Sequence, residues 1–235
     1  KIKLIINIDD DIILKKNALK NLLNCWNHEI NNSTKKIIGM SFNIAGDRIL
    51  KNSFLSRYFF MDTYPLGKVS IAGYAAPLGP ITSNLKSEWL IGGCTAWSRN
   101  FIDNNPHPLN FSLRWAVCED LIFSFPFRDK YSLMVCSTAE AIHNEGYSEE
   151  NFKTSVFKGY FGVLMRFYFI TLNKNLSKLA FYWMTLFLLI SYFFMGLIRS
   201  KRYIGNSFGI LKGIIICIFF NFQQEKLKKF IEKNF

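Results

Sequence analysis

The sequence has few of the residues from which zinc sites and disulfide frameworks are built. Its 235 residues include five cysteines, an odd number with no Cys-x-x-Cys spacing, and three histidines. Neither a disulfide framework nor a zinc site is therefore indicated. We expect a reducing, cytoplasmic setting.

The chain also lacks internal repeats and low-complexity blocks, and it has fewer acids than bases. It carries 17 Asp and Glu against 29 Lys and Arg, which gives a formal net charge of +12. Many of the bases flank the apolar segments of the C-terminal region, which is typical of a protein held against anionic membrane lipids. Because these bases do not form an aromatic-interleaved patch on a soluble domain, we expect no nucleic-acid partner.

The C-terminal region contains a segment, residues 179–198, that lacks charge altogether. About 20 such residues suffice for a helix to cross a bilayer. Residues 156–172 predict an amphipathic helix in the membrane interface, and a second apolar segment, 208–222, is interrupted by Lys212. Two crossings would place Arg199, Lys201 and Arg202 outside, against the positive-inside tendency. A re-entrant or interfacial hairpin removes this objection, and the sequence leaves the number of crossings open.

Near the N-terminus, an apolar run predicts a strand, Leu4 to Ile8, that ends in three consecutive carboxylates, Asp9, Asp10 and Asp11. Residues two apart on an extended chain project to the same side, so Asp9 and Asp11 can converge on one cation. Mg²⁺ or Mn²⁺, held by one or two carboxylates and completed by water and phosphate, suits this arrangement. The alternative is that Asp11 caps an amphipathic helix predicted over residues 12–28.

Further strands and turns predict an α/β sheet whose functional groups lie at strand ends. Residues 36–42, 89–91 and 132–136 read as strands, and a short helix is predicted within 50–61. Gly92 and Gly93 follow the second of these strands and allow close approach of the backbone to a ligand, although an ordinary tight turn explains them equally well. Glu119 and Asp120 open an apolar run, where acids are also common as helix caps.

Taken in order, these features form a pattern: Asp9-Asp10-Asp11 after a strand, the Gly92-Gly93 turn leading to Arg99 and Phe101, then Glu119-Asp120, then a strand and His143. This order resembles the later part of a family 2 glycosyltransferase with the GT-A fold, over about residues 2–146. The tail after Phe152 is similar to that of membrane-associated bacterial members that build surface polysaccharides. The resemblance implies a Rossmann-like mixed sheet with helices over residues 1–150, followed by membrane-associated helices over 151–235.

The resemblance also implies roles for individual residues. Asp9, Asp10 and Asp11 would form the DXD motif that contacts the nucleotide-sugar, with Asp9, Asp11 and His143 on a Mn²⁺ or Mg²⁺ ion. Asp120, with Glu119 beside it, would be the catalytic base of an inverting transfer. The pocket for the donor sugar and the acceptor would be lined by Gly92, Gly93, Trp97 and Arg99.

This sequence departs from the family pattern at several positions. The family's N-terminal portion, which grips the nucleotide base, would precede Lys1, so we expect the chain to begin within the fold. Pro126 is expected to kink the helix after Asp120, and Cys118 stands where a glycine or small residue is common. No Gln-x-x-Arg-Trp follows Asp120, which argues against processive synthesis.

We therefore predict a non-processive, metal-dependent glycosyltransferase on the cytoplasmic face of the cell membrane. It would move one sugar from a nucleotide-sugar donor to a saccharide or lipid-linked acceptor. Three alternatives remain open at this point: a noncatalytic membrane scaffold in which the acids cap helices, another metal-dependent phosphate enzyme, and a degenerate glycosyltransferase fragment.

Overall fold

A computed structural model describes residues 3–45, 54–107, 117–144, 151–220 and 223–234. A mixed sheet with helices occupies the first part of the chain, and four helices follow it. The strands are β1 Leu4–Ile8, β2 Ile12–Leu14, β3 Ile37–Ala45, β4 Leu85–Ser87, β5 Cys94–Ser98 and β6 Ser132–His143. The helices are α1 Ala18–Asn32, α2 Phe54–Tyr58, α3 Arg99–Asn104, α4 Glu119–Ser124, α5 Phe152–Leu172, α6 Lys178–Ile198, α7 Lys201–Phe219 and α8 Gln224–Asn234.

The strands are arranged in the order β1-β5-β3-β6-β2, and β4 also pairs with β6. Both β1 and β3 are antiparallel to β5, while β6 is parallel to β3. It follows that β1, β3 and β6 point the same way and that their carboxyl ends meet at one edge of the sheet. The predicted α/β class is confirmed at this level.

Helix α1 covers one face of the sheet, with Ala18, Leu22 and Trp26 buried against it. The predicted helix over 12–28 is correct in type but wrong at its start, because residues 12–14 pair as β2 with the end of β6. The residue before α1 is Asn17, in a left-handed conformation. Asp11 therefore does not cap this helix.

Other local predictions are corrected around the remaining strands. The predicted strand 89–91 is not formed; the strand in this region, β4, lies at Leu85–Ser87. The helix that contains Asp120 ends at Ser124, and a 3-10 turn over Phe125–Phe127 follows it. Pro126 lies in the first turn of this 3-10 segment, where proline is tolerated, and does not kink a longer helix. Of the predicted helix within 50–61, the described residues form α2.

Helix α5 is the centre of the C-terminal layer, since most of its apolar side chains are buried among α4, α6, α7 and α8. The prediction that it lies amphipathically in the membrane interface is therefore wrong. The sequence showed its apolar content, but the partners that cover both of its sides come from elements distant in the chain.

Two helices in the described part of the chain, α6 and α7, are long and apolar enough to cross a membrane. Only a minority of their residues are buried against the rest of the chain. Both features are compatible with membrane association.

Candidate functional site

The candidate site forms at the sheet edge where the carboxyl ends of β1, β3 and β6 meet. Asp9 follows β1 directly, and His143 is the last residue of β6. Strand β5 runs the opposite way, so the Gly92-Gly93 turn that precedes it lies at the same edge. The sheet topology thus brings together residues that are 134 positions apart in sequence. We refer to this place as the acidic edge.

Asp9 is held against the glycine turn. Its backbone N–H donates to the Gly93 carbonyl oxygen at 2.8 Å. A Cβ atom added at Gly93 would lie 1.8 Å from Oδ2 of Asp9, far closer than any real contact. Gly93 is therefore needed to leave room for this carboxylate.

Asp11 is paired with His143 across the short β2–β6 ladder. Nε2 of His143 lies 3.1 Å from Oδ2 of Asp11, and the Asn144 backbone N–H donates to the Asp11 carbonyl oxygen at 2.8 Å. The predicted proximity of Asp11 and His143 is thus present. Asp10, between the two other acids, has an exposed side chain.

The two acids of α4 lie on the other side of the glycine turn. A Cβ at Gly92 would be 3.7 Å from Oε1 of Glu119 and 3.8 Å from Cβ of Asp120. Asp9 thus lies against Gly93, and Glu119 and Asp120 lie near Gly92, so the glycine turn stands between acids that are close to one another. Cys118, just before the helix, has φ of 62°, a left-handed conformation that a glycine would adopt without strain.

Burial changes the proton affinity of both α4 acids. Desolvation and, to a smaller extent, the neighbouring Glu119 charge raise the pKa of Asp120 to about 7. Backbone hydrogen bonds involving Leu121 and Gly92 oppose this rise. Desolvation also raises the pKa of Glu119, and the Asp9 carboxylate contributes in the same direction. A carboxyl with a pKa near neutrality is suited to exchange a proton with a bound hydroxyl group.

These acids open into a cavity of roughly 290 Å³ on the face of the sheet opposite α1. In the β1–β5 register Ile5 faces Trp97 and Asn7 faces Thr95, so Asn7, Asp9 and Trp97 project to this same face. The cavity lining is mainly apolar and aromatic with a few polar groups, as in many small-molecule sites. It includes Asn7, Gly92, Trp97, Asn105, His107, Glu119, Asp120 and Phe123.

Arg99, predicted to line the same pocket, lies elsewhere. It follows the carboxyl end of β5, the strand that enters from the acidic edge, so it stands at the opposite edge of the sheet. Its guanidinium Nε donates to both carboxylate oxygens of Asp103 at 2.8 Å. The prediction for Arg99 failed because a motif read along the chain does not show which end of an antiparallel strand faces the site.

Most of the cavity residues carried no role in the sequence-based prediction, among them Asn7, His107 and Phe123. Asn7 was identifiable in principle, since it precedes Asp9 by two positions on a strand and shares its face. His107 was not, because its place depends on tertiary packing: its ring stacks on Phe123 at 5.5 Å and its Nε2 lies 3.1 Å from the Glu119 carbonyl oxygen.

The predicted metal ligands can be compared with this geometry. Within the described residues, no group of three or more His, Cys, Asp or Glu side chains is arranged to hold a metal ion. The Asp11–His143 pair offers one carboxylate and one imidazole, and Asp9 stands beside the glycine turn. The metal-binding role of Asp9, Asp11 and His143 therefore stays a prediction.

The chain matches no protein-family model, and neither a curated protein nor a solved structure matches it significantly. The acidic edge is therefore the feature of this chain that bears on its function.

Proposed function

We propose that the chain is a membrane-associated glycosyltransferase that moves one sugar from a nucleotide-sugar to a saccharide or lipid-linked acceptor. The observation that carries the proposal is that two groups of acids lie at the same edge of the sheet. Asp9 and Asp11 follow β1, and Asp120, with a pKa near 7, lines the adjacent cavity. Sugar transfer from a nucleoside diphosphate requires both charge neutralisation and a base.

Asp120 is proposed as the base. Its carboxylate accepts the proton of the acceptor hydroxyl while that oxygen bonds to the anomeric carbon, and the bond from this carbon to the diphosphate breaks on the opposite face. The configuration at the anomeric carbon is thereby inverted. Trp97 and Phe123 supply flat apolar surfaces in the cavity against which a sugar ring can pack.

Asp9, Asp10 and Asp11 are proposed to face the diphosphate of the donor, with His143 orienting Asp11 through its 3.1 Å contact. A Mg²⁺ or Mn²⁺ ion bound there would neutralise the charge that develops on the leaving diphosphate. Two of these acids, Asp9 and Asp10, are exposed, which leaves their oxygens accessible to an incoming ion and phosphate.

The proposal is tested with a panel of nucleotide-sugars and the full-length protein in its membranes, by reading the released nucleoside diphosphate with and without Mn²⁺ and a lipid-linked acceptor extract. We expect release from one donor that depends on both metal and acceptor. Release without any acceptor would instead identify another phosphate enzyme. A folded protein that releases no diphosphate from any donor would support the scaffold or degenerate alternatives.

The close contact between Gly93 and Asp9 gives a separate prediction. In Gly93→Ala the new methyl group displaces the Asp9 carboxylate, and we expect Mn²⁺ affinity to fall by about 10–100-fold, as for other changes that misorient a metal ligand. The measurement is Mn²⁺ titration followed by electron paramagnetic resonance of the free ion.

Gly92→Ala is the matched control, since its Cβ would make only ordinary contacts at 3.7 Å and beyond. We expect it to bind Mn²⁺ like the unmodified chain. Equal Mn²⁺ affinity in the two variants would mean that Asp9 takes no part in ion binding.

A further inference from the structure

The three long C-terminal helices have a defined direction relative to one another. A Cβ at Gly205 would lie 2.8 Å from the Phe152 carbonyl oxygen, and one at Gly213 would lie 2.7 Å from Cβ of Val163. The starts of α5 and α7 are therefore together, and the two helices run parallel. Helix α6 returns antiparallel to both, because it joins α7 through the two residues Arg199 and Ser200.

Because of this arrangement, the two ends of the helical layer have different surroundings. At one end the layer contacts the sheet region: the rings of Phe169 and Phe125 are 5.1 Å apart, and the Ser177 N–H donates to the Ile71 carbonyl oxygen at 2.8 Å. The other end holds the start of α5 and the turn between α6 and α7. The 21 residues of α5 separate these ends by about 30 Å at 1.5 Å per residue, which equals the thickness of a bilayer's hydrocarbon core.

The connection into α5 limits how this layer can meet a membrane. Asn144 lies at the acidic edge, where it contacts Asp11, and residues 145–150 include Glu145, Glu149 and Glu150. The eight steps from Asn144 to Phe152 reach at most about 28 Å. If the helices crossed a bilayer with the sheet on one side, this acidic segment would have to cross the hydrocarbon to the far end of α5. Such a path is strongly unfavourable.

A second, independent observation concerns the charges within the helices. Lys212 is the twelfth of the 19 residues of α7, so a membrane-spanning α7 would place it near the bilayer midplane, where a charged side chain is energetically costly. Its Nζ lies 4.5 Å from the ring centre of Tyr160 on α5. Because α5 packs along α7, it would have to enter the membrane as well, with its own Lys158 and Arg166.

The outward side of α6 and α7 is apolar. The exposed large hydrophobic residues of these helices recur every three or four positions, which places them along one side of each helix. We call this surface the apolar face: Leu179, Trp183, Leu186, Ile190, Phe193, Phe194 and Leu197 of α6, and Phe208, Leu211, Ile215, Ile218 and Phe219 of α7. Basic residues lie at both ends of the hairpin, including Lys178, Arg199, Lys201 and Arg202.

The short helix α2 extends the apolar face beyond the hairpin. Phe59 stacks on Trp183 and Phe187 of α6 at 5.1 and 4.0 Å between ring centres. Phe54 and Leu55 of α2 are themselves exposed, Phe54 by 80%. An element of the sheet region thus lies on the same surface as the helices.

We propose that α6 and α7 do not cross the bilayer but lie in the plane of one leaflet. The apolar face is embedded among the acyl chains, and the basic residues at both ends contact anionic headgroups. The turn at Ser200, the start of α5 and the sheet then all remain on one side of the membrane. This inference rests on the membrane association in the proposed function and is independent of the sugar-transfer chemistry.

The test is labelling of single cysteines by a membrane-impermeant maleimide in uniformly oriented vesicles from expressing cells. Ser200→Cys reports the turn and Asn31→Cys, exposed at the end of α1, reports the sheet. Both are made in a Cys25→Ser, Cys118→Ser background, in which the remaining native cysteines, Cys94, Cys136 and Cys217, are buried. We expect both cysteines to be labelled from the same face of the membrane. Permeabilising the vesicles should change the extent of labelling equally at the two positions. Reaction from opposite faces overturns the proposal.

Depth measurement provides a second readout that does not depend on vesicle orientation. Spin labels at the exposed positions 186, 190 and 197 of α6, in vesicles of phosphatidylcholine and phosphatidylglycerol, are expected to report equal depths. A depth that changes steadily from position 186 to 197 means a crossing helix and overturns the proposal. A chain recovered without membranes rejects membrane association itself, whereas a failed transferase assay leaves the labelling result unchanged.

Discussion

Asp120→Asn is expected to lower sugar transfer by about 10²–10⁴-fold, the usual contribution of a general base. The amide keeps the shape of the side chain and can still accept the 2.8 Å hydrogen bond from the Leu121 N–H, but it cannot take the proton of the acceptor hydroxyl. Metal-dependent binding of the nucleotide should persist, because the donor phosphates are assigned to Asp9 and Asp11. The measurements are initial rates of diphosphate release and nucleotide titrations on the full-length protein.

Asp129→Asn is the matched control, since this carboxylate is 80% exposed and its ion-pair partner is Arg128. Its transfer rate should equal that of the unmodified protein. If Asp120→Asn lost transfer and nucleotide binding together, Asp120 would not act purely as a base. Full activity in Asp120→Asn would exclude the base role.

The raised pKa of Asp120 also fixes the sign of two pH dependences. The base must be ionised to work, so the transfer rate should rise with pH through a midpoint at about 7 and level off above it. Stability changes in the opposite direction, because the folded chain binds the Asp120 proton more tightly than the unfolded chain does. The stabilisation that this proton gives to the folded state is fully present below pH 3.8, the ordinary pKa, and is lost as pH rises through about 7. The rate midpoint and this component of the stability profile should both be absent from Asp120→Asn.

The largest expected effect on stability is at Gly209, where α7 approaches α5 most closely. A Cβ there would lie 2.1 Å from the Val156 carbonyl oxygen and 2.7 Å from the Tyr160 nitrogen. Both are backbone atoms of a buried helix, so they cannot move aside as a side chain would. We expect Gly209→Ala to cost about 1–3 kcal/mol through overpacking and to lower the midpoint of thermal unfolding of the detergent-solubilised chain by several degrees.

Gly162 provides a control in the same helix pair. A Cβ at this position of α5 would meet nothing within 4 Å, so Gly162→Ala keeps only the gain in helix propensity, about 1 kcal/mol. Its unfolding midpoint should stay the same or rise. If the two alanine variants unfolded at the same temperature, the close packing of α5 against α7 would be incorrect.

The acidic edge shows how far a sequence motif can be followed. The sequence correctly placed Asp9 at the end of a strand, and the structure brings its carboxylate against Gly93. The functional roles of Asp9 and of the glycine turn stay predictions. The prediction failed for Arg99, which directly follows β5, the short strand that carries Trp97. Nothing local distinguishes the two ends of β5; the antiparallel pairing with β1 and β3 decides which end meets Asp9.

The start of α1 shows a similar limit. Residues 12–14 fit the helical period that continues through Trp26, but they pair with the last residues of β6, more than 125 positions away. A hydrophobic period reports which residues will be buried and not which partner will bury them. The same holds for α5, whose apolar residues fit a membrane interface as well as a protein core.

The sequence by itself determined the α/β class, several of the helices and strands, the acids at the strand end and the apolar character of the C-terminal helices. All of these depend on short-range periodicity and composition, which one stretch of chain contains. Only the tertiary structure decided that Asp120 faces the Gly92-Gly93 turn, that its pKa lies near 7, and that α5 runs parallel to α7. These properties depend on burial and on contacts between segments that are distant in sequence, and such contacts form only when the chain is folded.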